Sequence, residues 1–73
     1  MTNESEWHNT GSNGPAREVW VRKLGTRTAF VYALPYRYMV EFITESALID
    51  DGIPFESLTD AKYYADRFLA DAS

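Results

Sequence analysis

The sequence predicts an α+β domain in βββα order: a three-stranded antiparallel sheet packed on one C-terminal helix, with a flexible N-terminal tail. A short fourth edge strand or hairpin is a further option. Three observations predict this. Residues 18–44 divide into three runs rich in Val, Trp, Phe, Tyr and Ile, separated by turn signals. Residues 58–72 carry apolar side chains at helical spacing. Residues 1–16 are mostly Asn, Ser, Thr, Gly and Glu, too polar to offset the entropy of ordering. With 73 residues the chain makes one domain, drawn over 17–73, near the lower size for folding without disulfides or metals.

The elements follow in order. Trp7 stands out in the polar tail, either as an incidental aromatic or as an anchor for the sheet or a partner. Glu18–Leu24 and Arg27–Leu34 read as a hairpin across Gly25-Thr26. Glycine at the first central position suits a type II′ turn, which pairs Val21 with Phe30 and Trp20 with Val31. Leu34-Pro35-Tyr36-Arg37 makes the second reversal, because proline pre-sets φ there. Tyr38–Thr44 then forms a third strand, with Val31 opposite Val40 and Ala29 opposite Phe42. Pattern alone also permits a one-residue slip of that strand, since both of its rows hold apolar groups.

Residues 46–55 admit two readings: a short edge hairpin turning at Asp51-Gly52, or an irregular loop pinned by Ile49 and Phe55. The helix starts at Ser57 or Thr59 as N-cap, with Asp60 in the first turn. Leu58, Ala61, Ala65, Phe68 and Ala72 form its apolar stripe, flanked by Tyr64 and Leu69, and Asp66 falls on the charged side.

Alternation gives this sheet two apolar rows. Trp20, Ala29, Val31, Val40 and Phe42 share one face; Val21, Phe30, Tyr32, Met39 and Ile43 share the other. One helix covers one face. The second calls for a partner, a second copy or the tail.

Charge is segregated along the chain. The net charge is −4, yet residues 17–40 hold five cations against Glu18, and residues 41–60 hold six carboxylates and no cation. Such asymmetry speaks about partners rather than fold. There is no cysteine, so disulfides and thiolate zinc sites are excluded. The acidic start and the lack of a long apolar run fit a cytoplasmic chain with no membrane partner. His8 is the only histidine and sits in the tail; the Asp50-Asp51-Gly52 run lacks the ligand series of a calcium loop. No catalytic residue, metal site or cofactor is expected, and the chain reads as non-enzymatic.

The expected function is therefore protein recognition through Trp20, Arg22, Val31, Tyr38 and Met39, residue types enriched at interfaces. An acidic surface of Glu41, Glu45, Asp50, Asp51 and Glu56 could instead mimic nucleic-acid charge. Either surface suits a small inhibitor that occludes a protein partner, as phage and mobile-element inhibitors of host machinery do. A homodimer joined through the second sheet face is another reading. Nucleic-acid binding is a third, with Arg17, Arg22, Lys23, Arg27 and Arg37 interspersed among aromatics. In topology alone, three strands followed by a helix resembles small DNA-binding modules such as the arm-binding domains of tyrosine-type integrases.

Overall fold

Two tight reversals set the centre of the molecule. In the computed structural model, which describes residues 7–12 and 14–71, Glu18–Leu24 (β2) and Arg27–Ala33 (β3) form a hairpin closed by the Leu24–Arg27 pair. Gly25 has φ +63° and Thr26 stays at negative φ, the signature of the type II′ turn expected from the sequence. Val21 faces Phe30 and Trp20 faces Val31. Leu34 N–H donates to the Arg37 carbonyl (2.9 Å) across the second reversal. Tyr38–Ile43 (β4) then pairs with β3, placing Val40 opposite Val31 and Phe42 opposite Ala29. The slipped register is absent because it would take Phe42, which has no exposed surface, out of the core.

The sheet is larger than the three strands predicted. Among the described residues it has five, with His8–Asn9 (β1) at one edge and Leu48–Phe55 (β5) at the other, in the order β1-β2-β3-β4-β5 and all antiparallel. Leu48–Phe55 (β5) is the edge strand that the sequence offers as an option, paired along β4 and longer than expected, in place of a hairpin at Asp51-Gly52 or an irregular loop. The reversal comes earlier, at Thr44–Ala47, where the Thr44 hydroxyl accepts from the Ala47 N–H (3.1 Å). Asp51-Gly52 forms an irregularity within β5: Met39 faces Pro54 and Glu41 faces Asp50, so β5 spends extra residues there. Gly52 has φ +69°, a conformation that a bulge and a hairpin turn both demand. Pro54 is accommodated because β5 is an edge strand.

His8–Asn9 (β1) occupies the opposite edge, pairing with Val21 and Trp20 of β2. Residues that composition marks as tail are thus part of the sheet. Backbone bonds hold them, Thr10 N–H to the Val19 carbonyl (2.8 Å) and Val19 N–H to the Gly11 carbonyl (3.0 Å), and such bonds need no apolar side chain. Residues 1–6 of the expected tail, together with Asn13 and Ala72, lie outside the described residues.

Leu58–Ala70 (α1) is capped by Ser57, whose hydroxyl accepts from Asp60 N–H (3.1 Å). Ala61, Ala65 and Leu69 are buried against Ala29, Val31, Val40 and Phe42. Alanines on the helix meet alanine and valine on the sheet, so the two layers approach closely. The Phe42 ring stacks on Phe68 at 3.9 Å between centroids.

Candidate functional site

The helix covers the row of Trp20, Ala29, Val31, Val40 and Phe42, which leaves the other row as the outer surface. Following the registers across that surface gives three lines of side chains. One runs His8, Val21, Phe30, Glu41, Asp50. A second runs Lys23, Thr28, Ile43, Leu48, and a third Val19, Tyr32, Met39, Pro54. Val21, Phe30, Tyr32 and Met39 are half-buried by their neighbours, while Ile43 (42 %) and Leu48 (64 %) are exposed. Phe30 and Tyr32 lie with their rings near parallel, 6.4 Å apart. At one end of the field Val19 is buried, next to the paired Thr10–Gly11 segment. Over Val21, Phe30, Tyr32, Met39, Ile43 and Leu48 no helix or further strand of the described chain packs, and contiguous apolar patches of this kind mark interaction sites.

Its polar centre is a contact between strands. The Tyr32 hydroxyl donates to Glu41 Oε1 (2.8 Å), and Glu41 stands directly opposite Asp50. Burial, the hydrogen bond to Glu41 and the nearby carboxylates push the Tyr32 phenol up to about 12. Two carboxylates facing each other on adjacent strands repel, so this corner favours an incoming cation.

The expected recognition patch does not form one surface. Met39 is on the open face. Val31 has no exposed area, and Tyr38 packs against the core beside it. Trp20 lies under the Lys62 ammonium, 3.8 Å from the ring centroid. Arg22 is ion-paired with Asp66 of α1. Sequence pattern identified both rows; what it lacked was which row α1 takes. The small side chains at Ala29, Val31 and Val40, matching Ala61 and Ala65, are the available clue.

The basic set is also divided. Arg22 is committed to Asp66, and Arg27 donates to the Phe68 carbonyl (2.8 Å) while lying over the Phe68 ring. That contact satisfies a carbonyl in the last turn of α1, where a cation suits the helix dipole. Lys23 belongs to the open face, and Arg17 and Arg37 line a cleft with Glu18 and Glu56 at the far end of the sheet. Of the acidic set, Glu41 and Asp50 meet on the open face, Glu45 is exposed at the β4–β5 turn and Glu56 precedes α1. The side chain of Asp51 lies outside the described part. His8 is exposed on β1. A shallow groove between α1 and β5, floored by Phe55, Tyr64 and Phe68 and flanked by Tyr63 and Arg67, is the other apolar recess of note. No helix among the described residues is long and apolar enough to cross a membrane.

Comparison with protein-family models, with curated proteins and with solved structures finds no match to this chain.

Proposed function

We propose that this chain is a non-enzymatic protein-recognition module and that the open face of its sheet is the contact surface. The observation that carries the reading is the field of Val21, Phe30, Tyr32, Met39, Ile43 and Leu48, left without a covering layer in the described chain. Aromatic and methionine side chains, flanked by charge, have the composition of an interface core with a polar rim. Occlusion of a protein surface by this face is the mode of action we favour for a modulator or inhibitor. Charge mimicry of nucleic acid has less support, because the acidic side chains are spread over the sheet face, a turn and the approach to α1. Nucleic-acid binding by the hairpin likewise loses Arg22 and Arg27 to contacts with α1.

The test is site-specific photocrosslinking in cells, with the reactive side chain at position 30 or 39 and, for comparison, at the exposed Tyr63 of α1. Discrete protein adducts from 30 and 39 but not from 63 are expected. Adducts only from 63, or none from the sheet positions, would defeat the reading.

A further inference from the structure

We infer that the protein seated on the open face is a second copy of this chain, packed face to face about a two-fold axis close to the direction of β3. The inference rests on the reading of that face as a contact surface and names its occupant, which in the dimer replaces occlusion of a foreign protein by this face.

The argument comes from how charge is laid out across the strands. His8 and Lys23 stand on the β1–β2 side of the face, and Glu41 and Asp50 on the β4–β5 side, with Phe30 on the strand between. Within one sheet the Lys23 cation and the carboxylates are separated by the central strand. A two-fold axis along β3 exchanges left and right while keeping each residue at its level along the strands. Phe30 of one copy then meets Phe30 of the other, and His8 meets Asp50. Lys23 arrives over Ile43, one two-residue step from Glu41, or about 7 Å along the strand. A lysine stem spans that distance while its methylenes cover Ile43. The carboxylates, which repel across β4 and β5, thereby gain the cation that their own sheet keeps away.

The alternative two-fold axis, across the strands, places β4 and β5 over their own images and brings carboxylates toward carboxylates. The face therefore selects between the two symmetries. Both strand directions stay aligned, which is a common mode of sheet-on-sheet packing. Size is sufficient: the molecule measures 32 × 29 × 20 Å, and a two-layer body places its broad sides parallel to the sheet. Such a side can supply the roughly 800 Å² per partner of a standard interface. Self-pairing would also add a second core to a chain of only 73 residues.

The experiment is the mass of the full chain in solution across a dilution series, by sedimentation equilibrium, with unfolding curves to confirm that each variant is folded. Wild type is expected to double from 8.4 kDa as concentration rises. Phe30→Arg should remain monomeric, and Lys23→Glu should weaken association about tenfold. Lys23→Glu combined with Glu41→Lys should recover most of that loss, because the symmetry restores opposite charges. A wild-type monomer throughout the series overturns the inference; if position 30 still crosslinks to a different protein, the contact reading stands without it. A dimer indifferent to Phe30→Arg, or a double variant no better than Lys23→Glu, also overturns it.

Discussion

Arg22 and Asp66, 44 residues apart in sequence, are ion-paired across the interface between the sheet and α1. The same carboxylate oxygen accepts from the Trp7 indole N–H (3.0 Å), so Asp66 joins the N-terminal segment, β2 and the helix at one point. Arg22 keeps only 20 % of its side-chain surface exposed. Its Nε finds no acceptor among the described residues, which makes the Asp66 contact its principal compensation.

Replacing Asp66 should therefore cost more than a surface ion pair is worth. We expect Asp66→Ala to lower stability by about 1–2 kcal/mol, between an exposed pair and a fully buried one. Asp66→Asn, which keeps an acceptor for the indole, should cost less. Urea unfolding with an unchanged m-value measures both. A loss below about 0.5 kcal/mol for the alanine variant would class the cluster with ordinary surface pairs.

The two phenylalanines on neighbouring strands should behave oppositely. Phe42 is fully buried and stacked on Phe68, whereas Phe30 lies on the open face. Phe42→Ala removes a core ring at a cost of about 3–5 kcal/mol, enough to unfold a marginal domain, so Phe42→Leu is the practical variant at about 1–2 kcal/mol. Phe30→Leu should change monomer stability by less than about 0.5 kcal/mol in thermal or urea unfolding at high dilution. Equal losses at both positions would mean that Phe30 is as enclosed as Phe42 and that its face is not open.

Much of this architecture is legible in the sequence because turn chemistry and alternation agree there. Gly25-Thr26 and Pro35 fix the two reversals, and cross-strand partners such as Val21 with Phe30 then follow without further information. Legibility ends where one signal serves two structures. A glycine at positive φ suits a hairpin turn and a strand irregularity equally, so Gly52 does not separate them, and a fourth edge strand, a hairpin and a loop all fit the sequence of β5. β1 carries almost no side-chain signal, since His8 and Asn9 join the sheet through their backbones; Trp7 was its one advertisement. Asp66 reads as a solvated charge until the Arg22 and Trp7 side chains arrive from distant parts of the chain. The candidate site was half legible for a similar reason. Both sheet rows are apolar, and periodicity does not say which one a helix will choose.

Trp7 offers a test of the N-terminal edge. It packs against the core cluster and donates to Asp66, while its chain neighbours Thr10 and Gly11 hydrogen-bond to Val19. Trp7→Ala should cost about 1–2 kcal/mol from lost burial and the lost bond. The more telling readout is local. Hydrogen exchange at the Thr10 and Val19 amides should accelerate beyond what the global loss explains, because the arm loses its anchor. Unchanged relative protection at Thr10 would show that backbone pairing alone holds β1.

Tyr32 gives the pH dependence a definite sign. Its phenol is pushed from the ordinary 10.0 up to about 12 by burial first, then by its hydrogen bond to Glu41 and by the carboxylates of Glu41 and Asp50. The folded chain thus holds the proton more tightly than the unfolded chain does. Below pH 10 both states carry it and the group adds no pH dependence. Between pH 10 and 12 the unfolded state releases it first, so stability falls as pH rises through that window. Unfolding curves across the window should fall more steeply for wild type than for Tyr32→Phe. In a tyrosinate absorbance titration, Tyr32→Phe should remove a late-ionising phenol from the wild-type curve. Glu41→Gln removes the nearest negative charge, so it should bring that phenol back toward 10. A titration curve whose late amplitude is unchanged by Tyr32→Phe would dissolve the Tyr32–Glu41 contact as the polar centre of the open face.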